Sequence, residues 1–231
     1  MDGRLLALDA GSGRVVWDKE AVRPEEGESE PEFRFDPHVW TSPKQAKIQV
    51  DNIVNTLSQA SPQAKDAFTA AGKKYTDQLE DLDKWASDSM SAVPEQDRVL
   101  FSSHDAFGYF SNEYGVKFIG SALSDFNHQQ DATSSHIDEQ VKKVRESGAK
   151  AIFAENSNNS KSIEAIARAA GVKAVTSDDA LYGDSLGVPG SEGETYIGSI
   201  VHNINTLVSA WDSKQQSLPE SLQEFDVAKR K

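Results

Sequence analysis

The sequence predicts an α/β fold, with a parallel sheet of about four strands, covering helices and one long helix running alongside. Three observations predict it. Short apolar runs at residues 99–103, 116–119, 149–154 and 172–176 alternate with stretches of helical periodicity, the pattern of βα units with right-handed crossovers. The run Val99, Leu100, Phe101 has the unbroken apolar character of a strand covered on both faces. From Ser61 to about Met90 a helical pattern continues without a break, which at 1.5 Å per residue gives a helix on the order of 40 Å. That is long for a compact single domain.

Taken in order, residues 1–19 read as a β-hairpin. Leu6, Leu8, Val15 and Trp17 alternate around an Ala-Gly-Ser-Gly turn. The wording LLALDAGSGRVVW resembles a single repeat of the quinoprotein (PQQ-type) β-propeller, but one repeat cannot bury its own faces and no second copy follows. Residues 20–36 hold Glu20, Glu25, Glu26, Glu28, Glu30, Glu32 and Asp36 against Arg23 and Arg34, an acidic loop or solvated linker that could collect cations. Ser42 and Pro43 make a helix start, cap then first-turn proline. Ala46, Val50, Ile53, Val54 and Leu57 supply that helix with an apolar stripe. A second start at Ser61-Pro62 opens the long helix, striped by Ala64, Phe68, Ala71, Tyr75, Leu79, Leu82 and Ala86. Phe107, Phe110 and Tyr114 share one face of a helix after the 99–103 strand. Helices are expected at 137–146, at 160–170 with Gly171 as its stop, and at 195–211. The charged tail after Ser213 is expected to be loose.

Composition limits the partners. A net charge of −13 and 37% hydrophobic residues describe an acidic globular chain, which argues against a nucleic-acid surface and fits attraction of cations. With no cysteine, disulfides and thiolate metal sites are excluded. No apolar run approaches the roughly 18 residues of a transmembrane helix, and the N-terminus shows neither a signal-peptide core nor a lipid-attachment cysteine.

Parallel strands deliver their following loops to the same sheet edge, where ligands of open α/β sheets bind. The strand at 99–103 delivers His104, that at 149–154 delivers Glu155, and that at 172–176 leads to Asp178, Asp179 and Asp184. The stiff segment DPHVW adds His38 from elsewhere. Two imidazoles with one or two carboxylates suit a first-row divalent cation. His128 and His136, in a polar connector, and His202, within the last helix, are poorer candidates. Ser103, His104 and Asp105 are consecutive and cannot face one another as a catalytic triad. There is no Gly-x-Ser-x-Gly, no His-Glu-x-x-His and no phosphate-cradling glycine loop. A zinc-dependent hydrolase built on His38, His104 and a carboxylate, with Glu155 as general base, is the enzymatic alternative.

In this order, DPHVWTSP, SSHDAFGYFSNEYGV, AIFAE and YGDSLG resemble the metal-binding lipoproteins of zinc and manganese ABC importers, the cluster 9 solute-binding family. The resemblance covers about residues 33–213. It implies a two-lobed fold joined by a rigid backbone helix, with the metal held between the lobes by four side chains. Three of those positions match His38, His104 and Asp184, and Glu155 matches an acidic position beside the ligands. The family's first ligand is a histidine well before DPHVW, and no histidine precedes residue 38 here, so the N-terminal lobe is expected to be incomplete. A histidine at 104, where manganese-type relatives often have glutamate, leans the metal towards zinc, with Asp184 keeping manganese possible.

The resemblance thus implies a non-enzymatic, monomeric component. It captures Zn(2+), alternatively Mn(2+), for an ABC permease outside the cytoplasm, in the periplasm or anchored at the cell surface. A surface adhesion protein with a vestigial site is the non-enzymatic alternative. The expected divisions are 1–60, a partial N-terminal lobe with the hairpin arm and acidic loop; 61–93, the backbone helix; 94–213, the C-terminal lobe; and 214–231, the tail.

Overall fold

A computed structural model describes residues 4–8, 15–20, 36–123 and 134–226. Two compact units are present, Met1–Pro37 and His38–Lys231. The first contains the expected hairpin, β1 (Arg4–Leu8) antiparallel to β2 (Val15–Glu20), with Arg4 opposite Glu20 and Ala7 opposite Trp17. Its turn and the acidic stretch 21–35 lie outside the described residues.

The second unit begins with His38 and a 3₁₀ turn at Val39–Thr41. Ser42 then caps α1 (Pro43–Ala60), its Oγ accepting the Gln45 N–H at 3.4 Å. A 3₁₀ turn at Pro62–Ala64 leads into α2 (Lys65–Ser91), whose 27 residues give the expected length of about 40 Å. The two helices pack closely at Gly72, where a Cβ would run into a Val54 methyl. Only part of each stripe is buried. Leu79, Leu82, Trp85, Ala86 and Met90 enter the core, whereas Ile53 and Leu57 of α1 remain exposed. Here α1 lies on the first half of α2, and among the described residues no third layer covers that end.

Four parallel strands follow, in two ladders: β3 (Val99–Ser102) with β4 (Lys117–Ser121), and β5 (Ala151–Phe153) with β6 (Lys173–Val175). The single sheet expected from the sequence is therefore split. β3 and β5 lie side by side but form no ladder, and side chains close the seam at their carboxyl ends. Glu155 donates its backbone N–H to Ser103 Oγ at 3.1 Å, and Glu155 Oε1 accepts the His104 backbone N–H at 3.0 Å.

Strand alternation divides the core between two faces. Val99, Phe101 and Ile152 pack with Val144, Ile163 and Ile166 of α4 (Ser134–Ser147) and α5 (Lys161–Ala170). Leu100, Ala151 and Phe153 pack on the other side with α2, α3 (Gly108–Tyr114) and α6 (Tyr196–Ala210). The predicted aromatic face of α3 is buried there, with the Phe110 and Tyr114 rings edge to face at 5.0 Å. As expected, Gly171 ends α5 in the left-handed conformation, φ 78°.

The segment after Ser213 is not loose as far as Asp226. Leu218 and Leu222 are buried in the core, and a 3₁₀ turn at Glu220–Phe225 lies against α2. Gln78 Nε2 donates to Glu224 Oε1 at 3.1 Å and Ser221 Oγ to Asp81 Oδ2 at 2.5 Å. Two leucines four apart in a charged segment are too short a pattern to read, yet both are buried in the core.

Candidate metal centre

Each candidate side chain is placed by a different local device. His38 sits at the start of the 3₁₀ turn, its carbonyl accepting both the Thr41 N–H (3.2 Å) and the Thr41 hydroxyl (2.9 Å). His104 leaves the end of β3, where Ser102 Oγ donates to its carbonyl at 2.6 Å. Asp184 lies in the long loop between β6 and α6. Asn203 of α6 clamps that loop by accepting the Tyr182 N–H and donating to the Tyr182 carbonyl, both at 2.8 Å. Asn156 holds the far side, donating to the Ser185 carbonyl at 3.2 Å.

These devices bring His38, His104 and Asp184 together, with one donor atom from each lying within 4.8 Å of the others. Asp184 Oδ2 is 3.1 Å from His104 Nε2, and Asp184 Oδ1 is 3.6 Å from His38 Nε2. The two imidazoles meet edge to face at 5.2 Å. Both histidines are buried, while the Asp184 side chain is 36% exposed, so the group opens to solvent on the aspartate side. A recess of about 360 Å³ lies there, lined in part by Trp40, Tyr182, Leu186 and Tyr196.

Glu155 is at 0% side-chain exposure, with Oε2 2.7 Å from His104 Nδ1. A carboxylate can only accept, so this contact puts a proton on Nδ1 and leaves Nε2 as the ring atom that faces Asp184. Asn158 Nδ2 also approaches Nδ1, at 3.3 Å, but the shorter contact with a full charge wins. His104 Nε2 is buried and faces Asp184 Oδ2 at 3.1 Å. A buried, oriented imidazole nitrogen beside a second imidazole and a carboxylate fits a divalent cation. Burial opposes the charged form of His104, yet the hydrogen-bonding and charge of Asp184 and Glu155 outweigh it and push its pKa up to about 10. His104 in turn holds the Asp184 carboxyl below its ordinary range, against partial burial and with help from the His38 charge.

Among the other candidates, Asp178 and Asp179 are exposed and stand outside the cluster. His202 is buried and engaged elsewhere, with Nδ1 3.0 Å from Glu192 Oε2 and Nε2 3.0 Å from the Ala180 carbonyl. His128 lies outside the described residues. A larger cavity, about 500 Å³, is lined in part by Lys173, Asp179 and His202 and contains none of the three donors.

Sequence reasoning missed Gly183, where a Cβ would strike Glu155 Oε2. It also missed Asn158, which carried no signal, and the Asn203 clamp, hidden among the helical residues of α6.

The family described as "Zinc-uptake complex component A periplasmic" (ZnuA) matches residues 4–210. The chain belongs to this family. Among ZnuA-family relatives, it is 41% identical to the manganese-binding lipoprotein MntA of Bacillus subtilis over 76% of this chain and 58% of that one. It is 31% identical to the zinc-binding protein TroA of Treponema pallidum over 90% of this chain and 68% of that one. It is 27% identical to the manganese ABC transporter substrate-binding lipoprotein PsaA of Streptococcus mitis, over 79% of this chain and 57% of that one. The periplasmic TroA structure superposes with a TM-score of 0.72 at 32% identity, covering 80% of this chain and 67% of that one. The two-lobed TroA type of fold expected from the motifs is thereby shown. This chain spans little more than half the length of MntA and PsaA. The ZnuA match begins at residue 4, so its span includes the hairpin.

Proposed function

We propose that this chain captures a divalent transition metal for an ABC importer, with His38, His104 and Asp184 as ligands and Glu155 fixing His104. The observation that carries the reading is the buried His104 Nε2 facing Asp184 at 3.1 Å, beside His38 and backed by Glu155. Membership of a family whose relatives are named as zinc- and manganese-binding proteins supports it. Two nitrogen donors and one oxygen favour zinc, while the 41% identity to a manganese-binding protein favours manganese as the second cargo.

Capture suits the geometry better than turnover. A hydrolase would need a general base facing the metal-bound water, but Glu155 is fully buried and committed to His104 through both carboxylate oxygens. Among the described residues no helix is long and apolar enough to cross a membrane. A monomer outside the cytoplasm, with residues 61–93 joining a partial first lobe to the lobe at 94–213, completes the proposal.

Calorimetric titration of the metal-stripped protein with zinc and with manganese tests it. One-to-one binding that His104→Ala weakens severely is expected. Binding that survives combined substitution of His38, His104 and Asp184 by alanine would sink the ligand assignment.

A further inference from the structure

Asp184 is the least anchored of the three donors, exposed and carried on a loop, so something must set its distance from His38. The residue that touches both sides is Trp40. Its indole ring meets the His38 ring edge to face at 5.4 Å and 74°. Its Nε1–H donates to the carbonyl of Gly183, the residue before Asp184, at 2.9 Å. The backbone of Trp40 is held as well, because Tyr196 at the start of α6 donates its hydroxyl to the Trp40 carbonyl at 2.8 Å. One path of contacts therefore runs from α6 through Tyr196 and Trp40 to the Asp184 loop. Asn203 and His202 of α6, and Asn156 after β5, hold the same loop at other points.

On the metal-capture reading above, we infer that Trp40 is a positioning residue that fixes the His38–Asp184 separation and thereby governs metal release. The indole N–H is a strut between the two donor-bearing segments. When it is intact, Asp184 faces both imidazoles. When it is lost, the loop relaxes towards solvent while His38 and His104 stay in place, because separate hydrogen bonds hold them. The same contacts make Trp40 sensitive to occupancy. A metal on His38 Nε2 changes the charge seen by the indole, so Trp40 emission should shift on binding, whereas Trp85 is bonded instead to the Gln216 carbonyl at 3.4 Å.

The test is Trp40→Phe, which keeps an aromatic ring and removes the N–H. Metal release from the zinc-loaded full chain into excess chelator should be about three- to tenfold faster, the range for one net hydrogen bond. The association rate and the melting temperature of the metal-free protein should stay near wild type. The zinc-dependent change in tryptophan emission should vanish in Trp40→Phe and persist in Trp85→Phe. Tyr196→Phe, which cuts the next link, should speed release to a smaller extent and decides the matter if Trp40→Phe does not fold. Wild-type release and an unchanged emission response in the folded variants would overturn the inference while leaving metal capture intact. A wild-type chain that binds neither zinc nor manganese would overturn both.

Discussion

Glu155→Gln offers a sharp test of how this site works. In the native protein Glu155 accepts the His104 backbone N–H through Oε1 and faces Nδ1 through Oε2. The amide can satisfy only one of these contacts with its oxygen. If the oxygen stays on the backbone N–H, the amide nitrogen donates to Nδ1 and forces the imidazole proton onto Nε2, the atom that must face the metal. Losing such support typically costs about 10- to 100-fold in metal affinity, or about 1.4–2.7 kcal/mol. A second effect opposes it. With a pKa of about 10, His104 is protonated at pH 7 in the metal-free protein, and displacing that proton across about three units costs about 4 kcal/mol. Wild-type affinity should therefore climb about tenfold per pH unit from 7 to 9, with close to one proton released per metal. Removing the Glu155 charge lowers the His104 pKa and flattens that slope. The assay is chelator-competition titration from pH 6.5 to 9, with proton release read by calorimetry in buffers of different ionisation enthalpy. The variant should be 10- to 100-fold weaker at pH 9, with a narrower gap at pH 6.5. Equal affinities and parallel slopes would refute the reasoning.

Three further outcomes are expected. Gly183→Ala places a methyl against Glu155 Oε2, so it should weaken metal binding by about tenfold or more and cost about 1–3 kcal/mol of stability through overpacking, read by titration and by denaturant unfolding. Leu222→Ala should cost about 2–5 kcal/mol, because Leu222 is at 0% exposure in the core, yet leave metal affinity unchanged; a full-stability variant would mean the tail is dispensable. The metal-free protein should lose stability as pH rises. The raised His104 pKa contributes stability fully present below its ordinary 6.5 and lost as pH passes through about 10, which melting temperatures at pH 6 and 10 will show, with Glu155→Gln less affected.

The elements were legible wherever local chemistry dictates them. Ser42-Pro43 starts α1, Gly171 ends α5, and 27 residues without a proline form α2. The donors are legible because parallel strands present their carboxyl ends at one edge, which places His104 and Glu155 together from spacing alone. What misled was burial. Ile53 and Leu57 share the stripe of Ala46 but lie beyond the described layers, and Leu218 with Leu222 form a pattern too brief to stand out from their charged neighbours.

The sequence by itself therefore determined the α/β class, the long helix and the residue types able to hold a metal, since propensity, periodicity and spacing are local. Only the tertiary structure decided that His38 and Asp184, 146 positions apart in the numbering, lie 3.6 Å from each other, and that Trp40 and Gly183 tie their segments together. It also decided that Glu155 is buried behind His104 rather than facing the open side. Those relations depend on how α6 grips a loop without regular structure and how β3 meets β5 through side chains, and neither leaves a periodic trace along the chain.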